Sequence, residues 1–306
     1  MVEIRKEVTK NEWSIIAPTR SDRPFDFVEN SRGPKREKVS DCPFCPGNEP
    51  DTPPEVYGIR ESEEAKKSDW KVRVFPNKYP ALDKGDTSAV IESDLFESMG
   101  GFGYHEVIAE TPKHDASLNE LEVKEIMLVI ETYINRATAL IEKPEIEYVS
   151  TFRNQGKRAG ASLSHPHSQV IATTFIPDLL KTEYREASSF YDRKGRCLHC
   201  QLINEERSEG ERVILENDGF VVFTPFGSRF PYETHVYPRK HRYSFTDIDT
   251  EELEQIAVTL KKTINSMSSI FGNFFPYNYS IHTGYPGGFK DHEKSYHWHV
   301  EIIPRL

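Results

Sequence analysis

One order of cysteine and histidine motifs occurs twice along this chain, and that duplication limits the fold more than any other feature. Cys42-Pro43-Phe44-Cys45 is followed by the strand-like His105-Glu106-Val107-Ile108, then by Thr111-Pro112-Lys113-His114, and then by His165-Pro166-His167. Cys197-Leu198-His199-Cys200 opens the second round, which runs through His235-Val236-Tyr237 and Pro238-Arg239-Lys240-His241 to His297-Trp298-His299. The proline-to-histidine turns differ by one residue in length, so the order repeats without a strict spacing. A chain of 306 residues can form one large or two ordinary domains, each with a core. The repeat predicts two similar halves, 1–190 and 191–306, parting within 185–196, where Arg193-Lys194-Gly195-Arg196 reads as a turn.

Each half continues in the same way. Ser117-Leu118-Asn119-Glu120 reads as a capping box, and Val123, Ile126, Ile130, Ile134, Ala137 and Ile141 form an apolar stripe at helical spacing. Asp249 with Glu252 begins a similar helix, whose stripe is Leu253, Ile256, Leu260, Ile264 and Met267. Short strands at 146–149 and 279–281 follow, each leading by a Gly-containing loop to the paired histidines. Val72-Arg73-Val74-Phe75 is a further strand, while the charged, Pro-rich stretches 31–38 and 51–67 read as loops. The expectation is an α+β fold, mostly antiparallel sheet with covering helices that carry no chemistry.

A formal net charge of -10 and a pI near 5.6 argue against a nucleic-acid partner, though a local basic loop can still bind one small phosphate ligand. Met1-Val2-Glu3-Ile4-Arg5-Lys6-Glu7 lacks the apolar core of a signal peptide, and no long uncharged apolar run occurs. A cytoplasmic protein with no membrane partner is expected. All four cysteines sit in the two CxxC pairs, which in a reducing compartment act as metal ligands sooner than as disulfides.

Zinc favours four-coordinate sets of thiolate and imidazole, and a CxxC turn supplies two thiolates while two histidines arrive from elsewhere. Cys42, Cys45, His114 and His165 make the first expected site, and Cys197, Cys200, His241 and His297 the second. Two zinc ions per chain follow. Four protein ligands leave no open position, so both sites are expected to be structural. His105, His199, His235 and His292 are read as ordinary surface histidines.

His165-Pro166-His167-Ser168-Gln169 carries the chemistry. Residues i and i+2 of a strand face one side, so one imidazole can hold a metal while its neighbour attacks. The preceding Asn154-Gln155-Gly156-Lys157-Arg158-Ala159-Gly160-Ala161-Ser162 combines flexible backbone, two cations and a hydroxyl, which suits phosphate. His299 is followed by Val300-Glu301 and has no such loop, so the second copy is not expected to be a second active site.

Cys42-Pro43-Phe44-Cys45, His114, Asn154, Gly160, Ser162 and His165-Pro166-His167-Ser168-Gln169 together resemble the galactose-1-phosphate uridylyltransferase branch of the histidine-triad superfamily, over nearly the whole chain. The resemblance implies two histidine-triad-like halves and a double displacement. His167 attacks the α-phosphorus of a nucleotide-sugar, releases a sugar 1-phosphate and holds the nucleotidyl group until a second phosphate acceptor collects it. A sugar phosphate leaves readily near neutral pH, so Gln169, which cannot donate a proton as imidazolium can, fits as a donor to a non-bridging oxygen. The resemblance also implies substrate contacts at Arg20, Arg23 and Asn77, besides Asn154, Gly160 and Ser162, and a homodimer with shared active sites. It offers a competing second metal set, Glu183, His282, His297 and His299, against which Cys197 and Cys200 favour the thiolate site.

Family members usually continue past the position of Leu306 with a tail that contacts sugar and phosphate, so the sugar is open. Ser168 differs from the residue commonest there in bacterial galactose enzymes, and a plant-type branch uses adenylyl sugars with phosphate as acceptor. The leading expectation is a UDP-glucose:hexose-1-phosphate (galactose-1-phosphate) uridylyltransferase. The alternatives are an ADP-sugar or dinucleotide phosphorylase, and a non-catalytic zinc-containing nucleotide-binding module.

Overall fold

The repeated order in the sequence becomes a sheet that reads the same way from its middle outward. The computed structural model describes residues 2–7, 12–18, 41–62, 64–85, 89–91, 94–285 and 292–306. Its first half contains β1 (Glu3–Glu7), β2 (Glu12–Ile16), β3 (Tyr57–Arg60), β4 (Trp70–Pro76), β5 (Ala89–Ile91), β6 (Glu97–Gly100), β7 (Gly103–Ala109), α1 (Val123–Ile141), β8 (Tyr148–Gln155) and β9 (His167–Thr173). Then come α2 (Asp178–Lys194), α3 (Leu198–Glu209), β10 (Val213–Glu216), β11 (Phe220–Phe223), β12 (Thr234–Pro238), α4 (Thr250–Phe271), β13 (Tyr277–His282) and β14 (His299–Pro304).

The ten-stranded sheet has the order β10-β11-β12-β14-β13-β8-β9-β7-β4-β3. Counted outward from the β13–β8 seam, β14 corresponds to β9, β12 to β7, β11 to β4 and β10 to β3. The seam itself is antiparallel, with Asn278 opposite Asn154 and Tyr279 opposite Arg153. A smaller sheet, β2-β1-β6-β5, is formed by the N-terminal strands.

Alternation along the strands sorts their side chains into two faces. Val72 and Val74 of β4, Ile108 of β7 and Val170 and Ala172 of β9 join a core with Ile126, Val129, Ile130 and Tyr133 of α1 and Ile256, Leu260 and Ile264 of α4. Each fully buried aliphatic side chain there stabilises by about 1.5–3 kcal/mol. The opposite face carries Phe75, Val107 and Ala109 under the first CxxC turn, and Val221, Phe223 and Tyr237 beside Ile203 of α3. His167 and Gln169 alternate with Ser168 and Val170, so strand pleating sends them to this second face, away from the long helices.

The Asp249–Glu252 capping box heads α4 as expected. In the first half the boxed Ser117 and Glu120 enclose only a short 3-10 turn, Leu118–Glu120, and a second box, Glu122 with Glu125, starts α1. The stretch 51–67 is not all loop, since β3 lies within it and pairs with β4. The strand expected at 146–149 begins at Tyr148 and runs on to Gln155, taking Asn154 out of the loop. Gly195, within the turn expected at 193–196, closes α2 at φ 66°.

Candidate functional site

The first CxxC turn, with Cys45 N–H donating to the Cys42 carbonyl, brings both thiols to face two imidazoles. Cys45 Sγ lies 3.2 Å from His114 Nδ1 and 3.5 Å from His165 Nδ1, and Cys42 Sγ lies 3.8 Å from His165 Nδ1. A tetrahedral zinc with ordinary bond lengths separates its ligand atoms by about 3.3–3.8 Å. The side chains therefore fit the metal. His165 Nε2–H donates to the Thr111 carbonyl at 2.8 Å, which leaves the Nδ1 lone pair for the thiol side. Burial, with the neighbouring His114 and His167, pushes the His165 imidazole down to about 4 and keeps it neutral.

The second turn repeats this arrangement. Cys200 Sγ is 3.3 Å from His241 Nδ1 and 3.6 Å from His297 Nδ1, and the four ligand atoms, with Cys197, lie within 4.8 Å of one another. His241 Nε2–H donates to the Glu293 carbonyl at 2.7 Å. The hydrogen bond from the Cys200 thiol holds Cys197 far below the usual thiol range despite burial, and Cys200 is raised in return. Both clusters could hold a metal ion.

The set expected to compete for His297 does not include it. Glu183, His282 and His299 gather with Glu301, while His297 belongs to the cysteine cluster. This third group could also hold a metal ion, and its members bond to one another and to neighbours. His282 Nδ1 is 2.9 Å from Glu183 Oε1, Tyr296 O–H donates to Glu183 at 2.9 Å, and Arg229 donates to Glu301 at 2.8 Å. Burial would raise Glu183, but the His282 charge and hydrogen bond hold it at about 2.

His167 stands outside the first metal cluster, although Phe44 packs edge-on against both it and His165, with centroids 5.4 and 6.1 Å away. Its Nδ1–H donates to the His165 carbonyl at 2.8 Å, which puts the lone pair on Nε2. Gln169, two residues along the same face, lines a cavity of about 290 Å³ with Ile15, Ala17, Ala81, His105, Phe152, Asn154 and Ile171. His167 itself is not among the lining residues. The cavity lies between the small sheet and β7, β8 and β9.

His105 is not the surface residue its sequence context suggests. It is buried, with Nε2 2.8 Å from Gln169 Oε1 and Nδ1 accepting from Ala81 N–H at 2.9 Å. His199 and His235 are also buried and His292 is half-buried, because α3 and the second-half strands close over them. The alternation His105, Val107, Ala109 along β7 was the available signal for His105.

Of the remaining expected contacts, Asn77 accepts from Tyr79 N–H at 2.9 Å and turns Nδ2 to within 3.2 Å of His105. Asn154 Oδ1 accepts from Asn278 at 2.6 Å, leaving its NH2 as the donor in the cavity wall. Gly160 ends the turn Lys157–Ala159 at φ 88°, a left-handed conformation that glycine adopts without strain. Gly160, exposed, and Ser162, half-buried, do not line the cavity. Arg20 and Arg23 lie outside the described residues.

Behind β9 a buried charge network holds the strand. Ser168 Oγ donates to Glu110, Arg153 Nε donates to both Glu110 oxygens at 3.0 and 3.1 Å, and Tyr133 bridges to Tyr279 at 2.6 Å. Sequence reading missed this ion pair. Among the described residues no helix is long and apolar enough to cross a membrane.

Comparison with known proteins places this geometry. Residues 2–177 match the family model for the N-terminal domain of galactose-1-phosphate uridyl transferase, and residues 181–305 match that for its C-terminal domain. The chain belongs to the galactose-1-phosphate uridyl transferase family. Its members are nucleotidyltransferases, and so is this chain. Two relatives named for different activities frame the specificity question. An ADP-glucose phosphorylase of Arabidopsis thaliana is 32% identical over 99% of this chain and 84% of its own length. A galactose-1-phosphate uridylyltransferase of Thermotoga maritima is 29% identical over 99% and 87%. A solved uridylyltransferase superposes at TM-score 0.80 with 29% identity, covering 99% of this chain and 86% of its own. The Arabidopsis thaliana ADP-glucose phosphorylase with bound ADP-glucose gives 0.76 at 29% identity, covering 100% and 90%.

Proposed function

We propose that this chain transfers a nucleotidyl group from a nucleotide-sugar to a phosphate acceptor through a covalent intermediate on His167. The observation that carries the reading is the His167 ring itself, fixed by Nδ1–H to the His165 carbonyl and kept out of the thiolate cluster beside it. Nε2 attacks the α-phosphorus, the phosphorus–oxygen bond to the sugar 1-phosphate breaks, and the sugar 1-phosphate leaves with its electron pair. The proton stays on Nδ1, where the carbonyl stabilises the positive ring. The acceptor phosphate reverses the step. Gln169 donates to a non-bridging oxygen, Asn154 and Asn77 serve the nucleotide, and Arg20, Arg23, Gly160 and Ser162 are retained as substrate contacts.

Zinc is the metal proposed for Cys42, Cys45, His114 and His165, and for Cys197, Cys200, His241 and His297, two ions per chain. Bound there, zinc would supply fixed backbone rather than a reacting group. The halves are proposed to divide as 1–190 and 191–306, within α2, in a cytoplasmic homodimer.

UDP-glucose with a hexose 1-phosphate acceptor, galactose 1-phosphate above all, is the first reading, supported by the family. The Arabidopsis thaliana relative supports a second, ADP-glucose with inorganic phosphate as acceptor. Incubation with α-phosphate-labelled UDP-glucose and ADP-glucose separates them: acid-labile label on the protein from one donor names the base. Galactose 1-phosphate or phosphate then discharges it. No label from either on folded, zinc-loaded protein removes the covalent mechanism.

A further inference from the structure

We propose that His105 is a positioning residue that turns the Gln169 amide so that its NH2 group, and not its carbonyl, faces the phosphoryl oxygens; this rests on the transfer at His167 proposed above. The argument begins at a main-chain amide. Ala81 N–H can only donate, so His105 Nδ1, 2.9 Å away, is the acceptor. A neutral imidazole then carries its proton on Nε2. Among the described residues, Gln169 Oε1 at 2.8 Å and Asn77 Nδ2 at 3.2 Å meet that nitrogen. Asn77 has its own carbonyl engaged by Tyr79 N–H, so it presents hydrogens and cannot take the His105 proton. Gln169 Oε1 takes it.

An amide whose oxygen is held this way has only its NH2 to offer elsewhere. Gln169 lines the cavity beside His167, and a phosphoryl group arriving there is an anion with acceptor oxygens only. The reversed amide would present its oxygen to that anion. His105 thus fixes the polarity of an amide whose other end serves the substrate, and the β7–β9 pairing, with Val107 opposite Gln169, sets the reach.

The test measures the rate of label transfer to protein from whichever labelled nucleotide-sugar reacts, in His105→Leu, His105→Gln, Gln169→Ala and the His105→Leu/Gln169→Ala double variant. Removing a dedicated donor to a developing charge costs about 100–1000-fold, and losing only its orientation costs less. Expected for His105→Leu is a fall of about 10–100-fold in kcat with KM within about threefold. His105→Gln, which retains a donor of similar reach, recovers most of it. The double variant is no slower than Gln169→Ala. An additive double variant, or His105→Leu at the wild-type rate, overturns the proposal. If the leucine variant does not fold, His105→Asn, whose shorter amide falls short of Gln169, enters the same cycle. An activity-free reading comes from 15N spectra of histidine-labelled protein, with the His105 signal assigned by its loss in His105→Gln. A proton on Nε2 supports the proposal and one on Nδ1 overturns it. Should no donor label the wild-type protein, transfer at His167 fails while the spectrum still decides His105.

Discussion

Tyr237 lies stacked on His299, ring centroids 4.6 Å apart at an interplanar angle of 21°. The β12–β14 register, with Val236 opposite Val300, puts Tyr237 opposite His299 one step on, where β7 puts Ala109 opposite His167. The second residue inside each CxxC turn covers the other side, Phe44 at 5.4 Å from His167 and His199 at 5.5 Å from His299. The halves thus share a frame but differ opposite the second histidine of each pair. A tyrosine stacks on His299 where an alanine stands opposite His167.

That contrast predicts an asymmetry between the paired histidines. His167→Asn is expected to abolish labelling from the nucleotide-sugar, whereas His299→Asn keeps about one label per chain. Quantifying acid-labile label on both folded variants checks it. Label lost equally from both would mean that the second half contributes to the chemistry.

How much of this could be read in the sequence depended on the range of the interaction. The helix stripes and the Asp249–Glu252 cap were legible because a turn of helix is set by residues three and four apart. The gathering of the Cys/His clusters was legible because a CxxC turn is local and only four side chains had to be matched. His105 was not, since its partner Gln169 is 64 residues away and only strand pairing joins them. Glu110 and Arg153 stand 43 residues apart, and nothing local shows that they bury each other beneath β9. The continuous sheet across both halves depends on the β13–β8 seam, where Asn278 bonds Asn154, a contact no periodicity announces.

The buried Glu110–Arg153 pair should matter more to stability than the hydroxyls around it. Arg153→Met leaves a carboxylate buried without its cation and is expected to cost about 3–5 kcal/mol. Ser168→Ala removes the hydroxyl's bonds to Glu110 and Tyr133, but Arg153 still satisfies Glu110 and Tyr133 still reaches Tyr279, so the cost is about 1–2 kcal/mol. Urea unfolding of the two variants gives the comparison. Equal costs would show that the ion pair is not the anchor of β9.

Metal should be lost one cluster at a time. Cys42→Ser and Cys200→Ser act on clusters that share no residue, so each variant is expected to fall from about two zinc ions per chain to about one. Elemental analysis reads this directly. Cys42→Ser should also slow labelling, because His165 carries the carbonyl that orients His167, whereas Cys200→Ser should lower the melting temperature with a smaller effect on labelling.

Acid sensitivity of the first CxxC region should trace to Glu49. Burial pushes its carboxyl up, but hydrogen bonds from the backbone N–H groups of Glu49 and Gly47 and from Trp70 Nε1–H, with the nearby Arg73 charge, hold it below its ordinary value of 4.5. A depressed carboxyl contributes stability that is present above the unfolded value and is lost as pH falls through the folded one. Glu49→Gln is therefore expected to unfold more easily than the parent at neutral pH, with the gap closing as pH drops below 4.5. Trp70 donates to Glu49 at 3.1 Å, so its fluorescence in the native state should shift over the same acid range in the parent and stay flat in the variant. A gap that persists unchanged to low pH would mean that Glu49 acts by packing rather than by charge.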